Sequence, residues 1–489
     1  MRRTLASLAI LGTIAAAGCS LDLTNPNNPT AAGALENPRV GTRRMVVGVV
    51  ATYRDQRAVQ IRALGSYGRE SYFMFITDGR FITGPYRDWK VNNSFEAGAQ
   101  WAGRYGNYRN AYEAIKVITN VTTTTTPGLP TALLAEEKSG ALGVLKTFIA
   151  LEMLHVIEAR GPIGAVVDMV DDINAVNPIV SEDSVYKWIS AKLDEANADL
   201  TAAGTTPFYF ALPGFSGFGP TANTPAGFAQ FNRAIKARTE VEHATAGCGA
   251  PCYTTALTAL TGSWIANLTA ANRDSGVYSV YSTAAGDALN TVSFTGTSDL
   301  YTHPGIDSIK STGGASVALD DRFRRKTTTT GVDPRTEVGV TSGRRPNLYP
   351  TNVSPIPIIR NEELVLLRAE AEWFTGATAA ATTDLAAVRT NSGSTNGGTS
   401  VVAFAAPATA AEFTSELLLQ RTLSLLEEGH RWVDYRRFNR LADLGTLPQD
   451  VSSGFTVATV NVLPNQECDA RSRIGAPAPM SCPGGAAVP

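Results

Sequence analysis

Gln420-Arg421-Thr422-Leu423-Ser424-Leu425-Leu426-Glu427-Glu428-Gly429-His430-Arg431-Trp432-Val433-Asp434-Tyr435-Arg436-Arg437 is the stretch on which the fold turns. Leu418, Thr422, Leu425, Gly429 and Trp432 recur at three-and-four spacing, which predicts one core-facing helix over 412–440. Glu428, Arg431, Asp434 and Arg437 fall three residues apart, a spacing that lets opposite charges pair along one helix face. Charges arranged this way read as scaffold, not as catalytic groups. Upstream, Ile356-Pro357-Ile358-Ile359-Arg360-Asn361-Glu362-Glu363-Leu364-Val365-Leu366-Leu367-Arg368-Ala369-Glu370-Ala371 runs into a second such helix, whose buried face is Leu364, Leu367, Ala371 and Phe374.

The same period extends outward to 101–118, 132–158, 181–201, 229–246 and 254–271, so the fold is expected to be mostly α. Ser181 followed by Glu182-Asp183-Ser184 marks an N-cap. Strand signals are short, as at Val277-Tyr278-Ser279-Val280-Tyr281. Gly, Pro and Thr gather in the interruptions, above all 203–228 and 283–358, and loops of such length commonly carry function. With 489 residues there is room for two or three domains or one large helical one. A hydrophobic content of 44% against 18% charged supports a packed core. A net charge of −2 supplies no field to hold a polyanion, so nucleic acid is not an expected partner.

The N-terminus opens Met1-Arg2-Arg3, then an apolar run from Leu5 to Ala17, then Ala16-Ala17-Gly18-Cys19. That run is shorter than the roughly 20 residues of a membrane span and reads as an export signal. Small residues directly before Cys19 resemble a bacterial lipobox, in which the cysteine carries two acyl chains and anchors the chain stably. A plain signal peptide is the alternative. Asn25-Pro26-Asn27-Asn28-Pro29 then serves as a stiff spacer. With Cys19 lipidated, the other four cysteines form two sequence-local couples, Cys248 with Cys252 and Cys468 with Cys482, expected as disulfides in an oxidising exterior. The rival, a four-thiolate metal site, lacks a second closely spaced couple.

The usual catalytic signatures are absent: there is no HExxH, phosphate-binding Gly loop or GxSxG elbow. Glu152 with His155, Glu240 with His243, and Glu427 with His430 repeat a Glu-to-His spacing known from di-iron bundles, but core histidines are the commoner outcome. Asp320-Asp321 beside Arg322, Arg324, Arg325 and Lys326 reads as a solvated ion cluster. Rings and charges interleave without helical period at Tyr67–Trp89, and the C–H faces of a sugar stack on rings while its hydroxyls seek planar polar groups. Phe81, Tyr86, Asp88, Trp89, Tyr72 and Asp78 are therefore the candidate ligand-binding residues, with residues 67–105 as the ligand face and Trp89 ranked first. A second aromatic loop, Phe208-Tyr209-Phe210 with Phe215 and Phe218, is a possible partner patch.

The 356–371 and 420–437 runs together resemble the SusD/RagB family of surface nutrient-binding lipoproteins. The first is similar to its P-I-x-R-x-x-E-x-x-L-x-x-A-E-A helix and the second to its E-R-x-x-E-L-x-x-E-G-x-R-x-x-D-x-x-R helix, with Gln420 and Ser424 departing where the family usually has Glu. Arg109-Asn110-Ala111, Glu136–Gly164 and Asp384–Arg389 fit in outline. The resemblance implies tetratricopeptide-like helix pairs plus an irregular ligand-binding half and no catalysis; no cofactor or metal is expected. It also implies an outer-membrane surface location and a TonB-dependent (SusC-like) transporter partner that receives an oligosaccharide or similar nutrient; the alternatives are a secreted glycoside hydrolase, whose two carboxylates no sequence pattern excludes, and a structural helix-repeat scaffold without a small ligand. Residues 1–18 would then be a lipoprotein leader, 19–30 the lipidated N-terminus and spacer, and 31–445 the SusD-like domain with loop-rich insertions near 65–100, 203–228 and 283–358. Residues 446–489 would be a loop-like tail.

Overall fold

The computed structural model describes residues 36–87, 95–172, 174–212, 215–216, 223–293, 299–309, 320–394, 405–444 and 447–482. The leader, Cys19, the spacer, Asp88, Trp89 and Phe218 lie outside them. Helices dominate: α1 (Pro38–Tyr53), α2 (Arg57–Tyr67), α3 (Arg80–Tyr86), α4 (Phe95–Asn120), α5 (Ala135–Arg160), α6 (Glu182–Ala203), α7 (Pro225–His243) and α8 (Ala250–Thr261). After a region of short strands come α9 (Asp321–Lys326), α10 (Asn361–Phe374), α11 (Thr378–Gly393), α12 (Ala410–Ser424), α13 (Arg431–Arg437), α14 (Pro448–Ser452) and α15 (Asn465–Arg473). Helix starts follow local chemistry. The Ser181 hydroxyl accepts from Ser184 N at 3.4 Å, and Thr409 and Glu412 form a reciprocal box at the start of α12.

Consecutive helices pack in pairs, α4 on α5, α5 on α6, α6 on α7, α7 on α8 and α10 on α11. Their shared core runs from Val46 and Val49 through Phe148, Leu151 and Leu154 to Ile189, Phe231 and Ile235. α5 is apolar enough to cross a membrane by length and composition, but 89% of that window is buried among its neighbours, so it is a core helix. Gly143 lets α6 approach it closely: a Cβ there would stand 2.6 Å from Leu200 Cγ. The strands are short and pair antiparallel, β1 (Ser71–Phe73) with β4 (Leu300–Thr302), β3 (Gly276–Ser279) with β9 (Ile356–Arg360), β5 (Thr327–Thr328) with β8 (Arg345–Pro346), and β6 (Arg335–Glu337) with β7 (Val340–Ser342); β2 (Phe215–Ser216) adds to β3.

Three expectations are corrected. The 412–440 helix breaks at residues 425–430, because Glu427 (φ 61°) and Gly429 (φ 86°) reverse the chain and Glu427 N donates to the Glu70 carboxylate at 3.0 Å. The three-apart charges therefore do not form one ladder. Glu428 pairs with Arg360 at 2.7 Å and Lys326 at 2.9 Å, Arg431 donates to the Gly68 and Arg69 carbonyls, and Asp434 links Arg421 to Arg437. Arg437 goes on to Glu370 at 2.7 Å. Most of the Asp320–Lys326 cluster is buried, not solvated, with Arg324 the exposed member: Arg322 is 1% exposed and grips Asp320 through two nitrogens. Gln420 and Ser424, the two departures from the family pattern, accept from that same guanidinium at 2.8 and 2.9 Å. Finally, the 446–489 segment contains helices α14 and α15 and seals the core with Phe455, Leu463 and Cys482.

Candidate functional site

The expected ligand stretch is divided by the alternation of β1. Tyr72 and Tyr86 are fully buried, so neither offers a face to a ligand, and both leave the candidate list. Tyr72 Oη donates to Asp450 Oδ1 at 2.5 Å, His303 bonds the other oxygen of Asp450 at 2.9 Å, and Tyr86 Oη donates to the Ser71 carbonyl at 2.8 Å. Burial pushes both tyrosines well above their ordinary pKa. These rings fasten the segment to α14 and to Phe455. Phe81 instead joins Phe73 and Phe75 in a surface trio with centroids 4.9–5.9 Å apart, beneath the Arg62 guanidinium 4.7 Å from Phe73. Asp78 lies at its rim with both oxygens bound to Arg80, whose hydrogen bonds hold that carboxyl below its usual value. Phe208, Tyr209 and Phe210 pack on the main core and form no free patch.

A larger concavity was not apparent from the sequence. A groove of about 690 Å³ opens between α4, the loop 166–177 and α15, within the size range of small-ligand sites. Trp101 and Tyr105 stand one turn apart on α4 with centroids 4.6 Å apart and form its floor. Arg160 supports them from below, 5.6 Å from the Trp101 ring, and burial lowers its pKa to about 10. Tyr105 Oη exchanges hydrogen bonds with Val166 N and O at 2.9 Å, and Tyr108 Oη donates to Val167 O at 2.7 Å, so α4 fixes the start of the loop wall.

The opposite wall is α15. Trp101 Nε1 donates to Glu467 Oε2 at 3.3 Å, and Arg471 spans Glu467 Oε1 at 2.6 Å and the Asn177 carbonyl at 2.9 Å, closing one end. Cys468 and Cys482 are disulfide-bonded, as expected, which ties this helix to the tail. Asp168, Asp172 and Arg473 supply exposed charges at the rim, and Ile474 is 59% exposed there. Aromatic floor, carboxylates and an amide-rich lip suit a neutral, hydroxyl-rich ligand. Trp101 and Tyr105 fall inside the expected 67–105 face. The loop and α15 carried no local signal beyond the cysteine couple. The other couple, Cys248 with Cys252, is also bonded.

Residues 317–468 match the family model described as the SusD family. Over these residues the chain is similar to the SusD family. No curated protein matches it in sequence. Solved structures place the whole SusD-like fold beside it. A SusD superfamily protein from Bacteroides fragilis NCTC 9343 superposes with a TM-score of 0.63 at 13% identity, covering 91% of this chain and 99% of its own. NanU of B. fragilis gives 0.55 at 15% identity, covering 89% and 94%. A laminarin-binding SusD-like protein gives 0.55 at 15%, covering 87% and 97%. The mostly α architecture with helix pairs is thus that of the family.

Proposed function

We propose that this SusD-like chain is a non-catalytic, lipid-anchored surface protein that binds an oligosaccharide in the α4–α15 groove and passes it to a TonB-dependent outer-membrane transporter. The observation that carries the binding half is the groove itself, an aromatic floor of Trp101 and Tyr105 under a rim of Asp168, Asp172 and Asn174. The basic–apolar–Gly18-Cys19 leader supports the anchor. Similarity to the SusD family over 317–468 and to a laminarin-binding SusD-like structure supports the ligand class. Isothermal titration against a panel of soluble polysaccharides, starting with laminarin because one structural relative is named for binding it, tests the reading. Binding of at least one glycan, lost on Trp101→Ala while the fold persists and unaccompanied by release of reducing ends, is the expected result. Glycan cleavage, or affinity untouched by groove substitutions, overturns it. Copurification with a large β-barrel after mild detergent extraction tests the transporter half.

A further inference from the structure

α7 ends at His243 and α8 begins at Ala250, and the turn between them carries Cys248, half-exposed, bonded to Cys252 in the first turn of α8. His243 is 3% exposed. Its Nδ1 stands 3.2 Å from Cys252 Sγ, and its Nε2 lies 2.9 Å from Asp183 Oδ1 at the start of α6. Tyr186 stacks on the ring at 5.7 Å and fixes its plane. The imidazole nitrogen and both sulfurs lie within 4.8 Å of one another, the group of metal-capable side chains that converges among the described residues. Glu240 Oε2 adds negative charge 3.9 Å from Nδ1. A histidine whose far nitrogen is held by a carboxylate and whose near nitrogen faces sulfur has the outer support that metal-binding imidazoles use. Only the S–S bond withholds the two thiolates.

We propose that reduction of Cys248–Cys252 opens a binding site for a thiophilic divalent cation of the zinc class, with Cys248 Sγ, Cys252 Sγ and His243 Nδ1 as ligands and water in the fourth position. The reductant is an external dithiol. Its thiolate attacks the more accessible Cys248 sulfur, the Cys248–Cys252 bond breaks, and Cys252 departs as a thiolate. The second thiol of the reductant then displaces Cys248 and closes the reductant's own disulfide, so two electrons enter the protein and the dithiol's two protons pass to the protein sulfurs or solvent. Cys252 is suited to leave, because the first turn of α8 and the neighbouring imidazole both favour negative charge on it. Cation binding displaces the remaining thiol protons, so affinity rises with pH. This inference is independent of the glycan reading.

The test uses the full chain, oxidised and after anaerobic dithiol treatment with the reductant removed, titrated with Co²⁺ and Zn²⁺. The reduced protein should bind one equivalent with a thiolate-to-cobalt absorption band, and the oxidised protein none. Asp183→Asn, on an exposed carboxylate outside the ligand set, should weaken Zn²⁺ about tenfold, and Cys468→Ser/Cys482→Ser should leave it unchanged. As a readout free of substitution, Zn²⁺ should protect Cys248 and Cys252 from alkylation in the reduced wild-type chain. Equal binding by oxidised and reduced protein, binding that follows Cys468 and Cys482, or alkylation unaffected by Zn²⁺ overturns the proposal.

Discussion

Glu427→Gln isolates one buried proton. Glu70 and Glu427 are both fully buried, and a Cβ placed on Gly65 would lie 3.8 and 3.9 Å from one oxygen of each, so the two carboxyls share a small space beside the Ser71 hydroxyl. Burial raises the Glu427 carboxyl well above its ordinary value, and the charge on Glu70 pushes it the same way. Burial likewise lifts Glu70 to about 8 against the pull of Arg431. The folded chain therefore holds protons at neutral pH that the unfolded chain has released. A pKa raised on folding gives stability that is complete below the unfolded value near 4.5 and is lost as pH climbs through the folded value. Each such proton costs about 1.4 kcal/mol per pH unit across that window. As pH rises from 6 to 8, Glu427→Gln should therefore gain stability relative to wild type, at up to about that slope. Urea unfolding of both proteins at pH 6, 7 and 8 gives the difference directly, and histidine titrations common to both cancel. A wild-type-minus-variant difference that stays flat over this range would mean that Glu427 is ionised in the fold, and the argument would fail.

Other outcomes follow from the same geometry. Cys468→Ser/Cys482→Ser should lose about 3 kcal/mol, the chain-entropy value for a loop of this size, and should free α15, so that protease cutting near Arg471 appears together with weaker groove binding. Trp101→Ala should abolish glycan binding more than Phe75→Ala does; the reverse order in calorimetric titration would move the site to the Phe73–Phe75–Phe81 trio. Tyr86→Ala should cost about 3–5 kcal/mol in thermal or urea melts, with affinity intact in the folded fraction, because the ring faces only protein. Arg437→Ala should cost a similar 3–5 kcal/mol by leaving Glu370 buried without its ion partner, while Asp434 keeps Arg421; a loss under 1 kcal/mol would show that water reaches Glu370. Cys19→Ala should move the protein from the membrane to the soluble fraction, since both acyl chains depend on that sulfur; retention in the membrane would remove the lipid anchor.

How far the sequence reaches is visible at two pairs of neighbours. Helix-forming runs such as 135–160 and 361–374 are legible because their signal is local, an apolar period repeated over several turns. Tyr72 and Phe73 are equally aromatic and adjacent, yet β1 sends successive side chains to opposite faces. Which face is the core depends on β4, paired at Tyr72 with Tyr301 from more than two hundred residues away. The groove escapes for the same reason: Trp101 and Glu467 meet through a hydrogen bond that closes a separation of 366 residues. Glu427 and Glu428 make the sharper case. Both are buried glutamates in one Glu-Glu-Gly turn, and a reader of the sequence has no ground for separating them. The reversal at Glu427 turns one carboxyl toward Glu70, where burial and like charge raise its pKa. It turns the next toward Arg360 and Lys326, which outweigh burial and hold it below its ordinary pKa. A charge ladder read along a straight helix cannot contain that difference, because the opposing fates belong to the partners that the break in the helix selects.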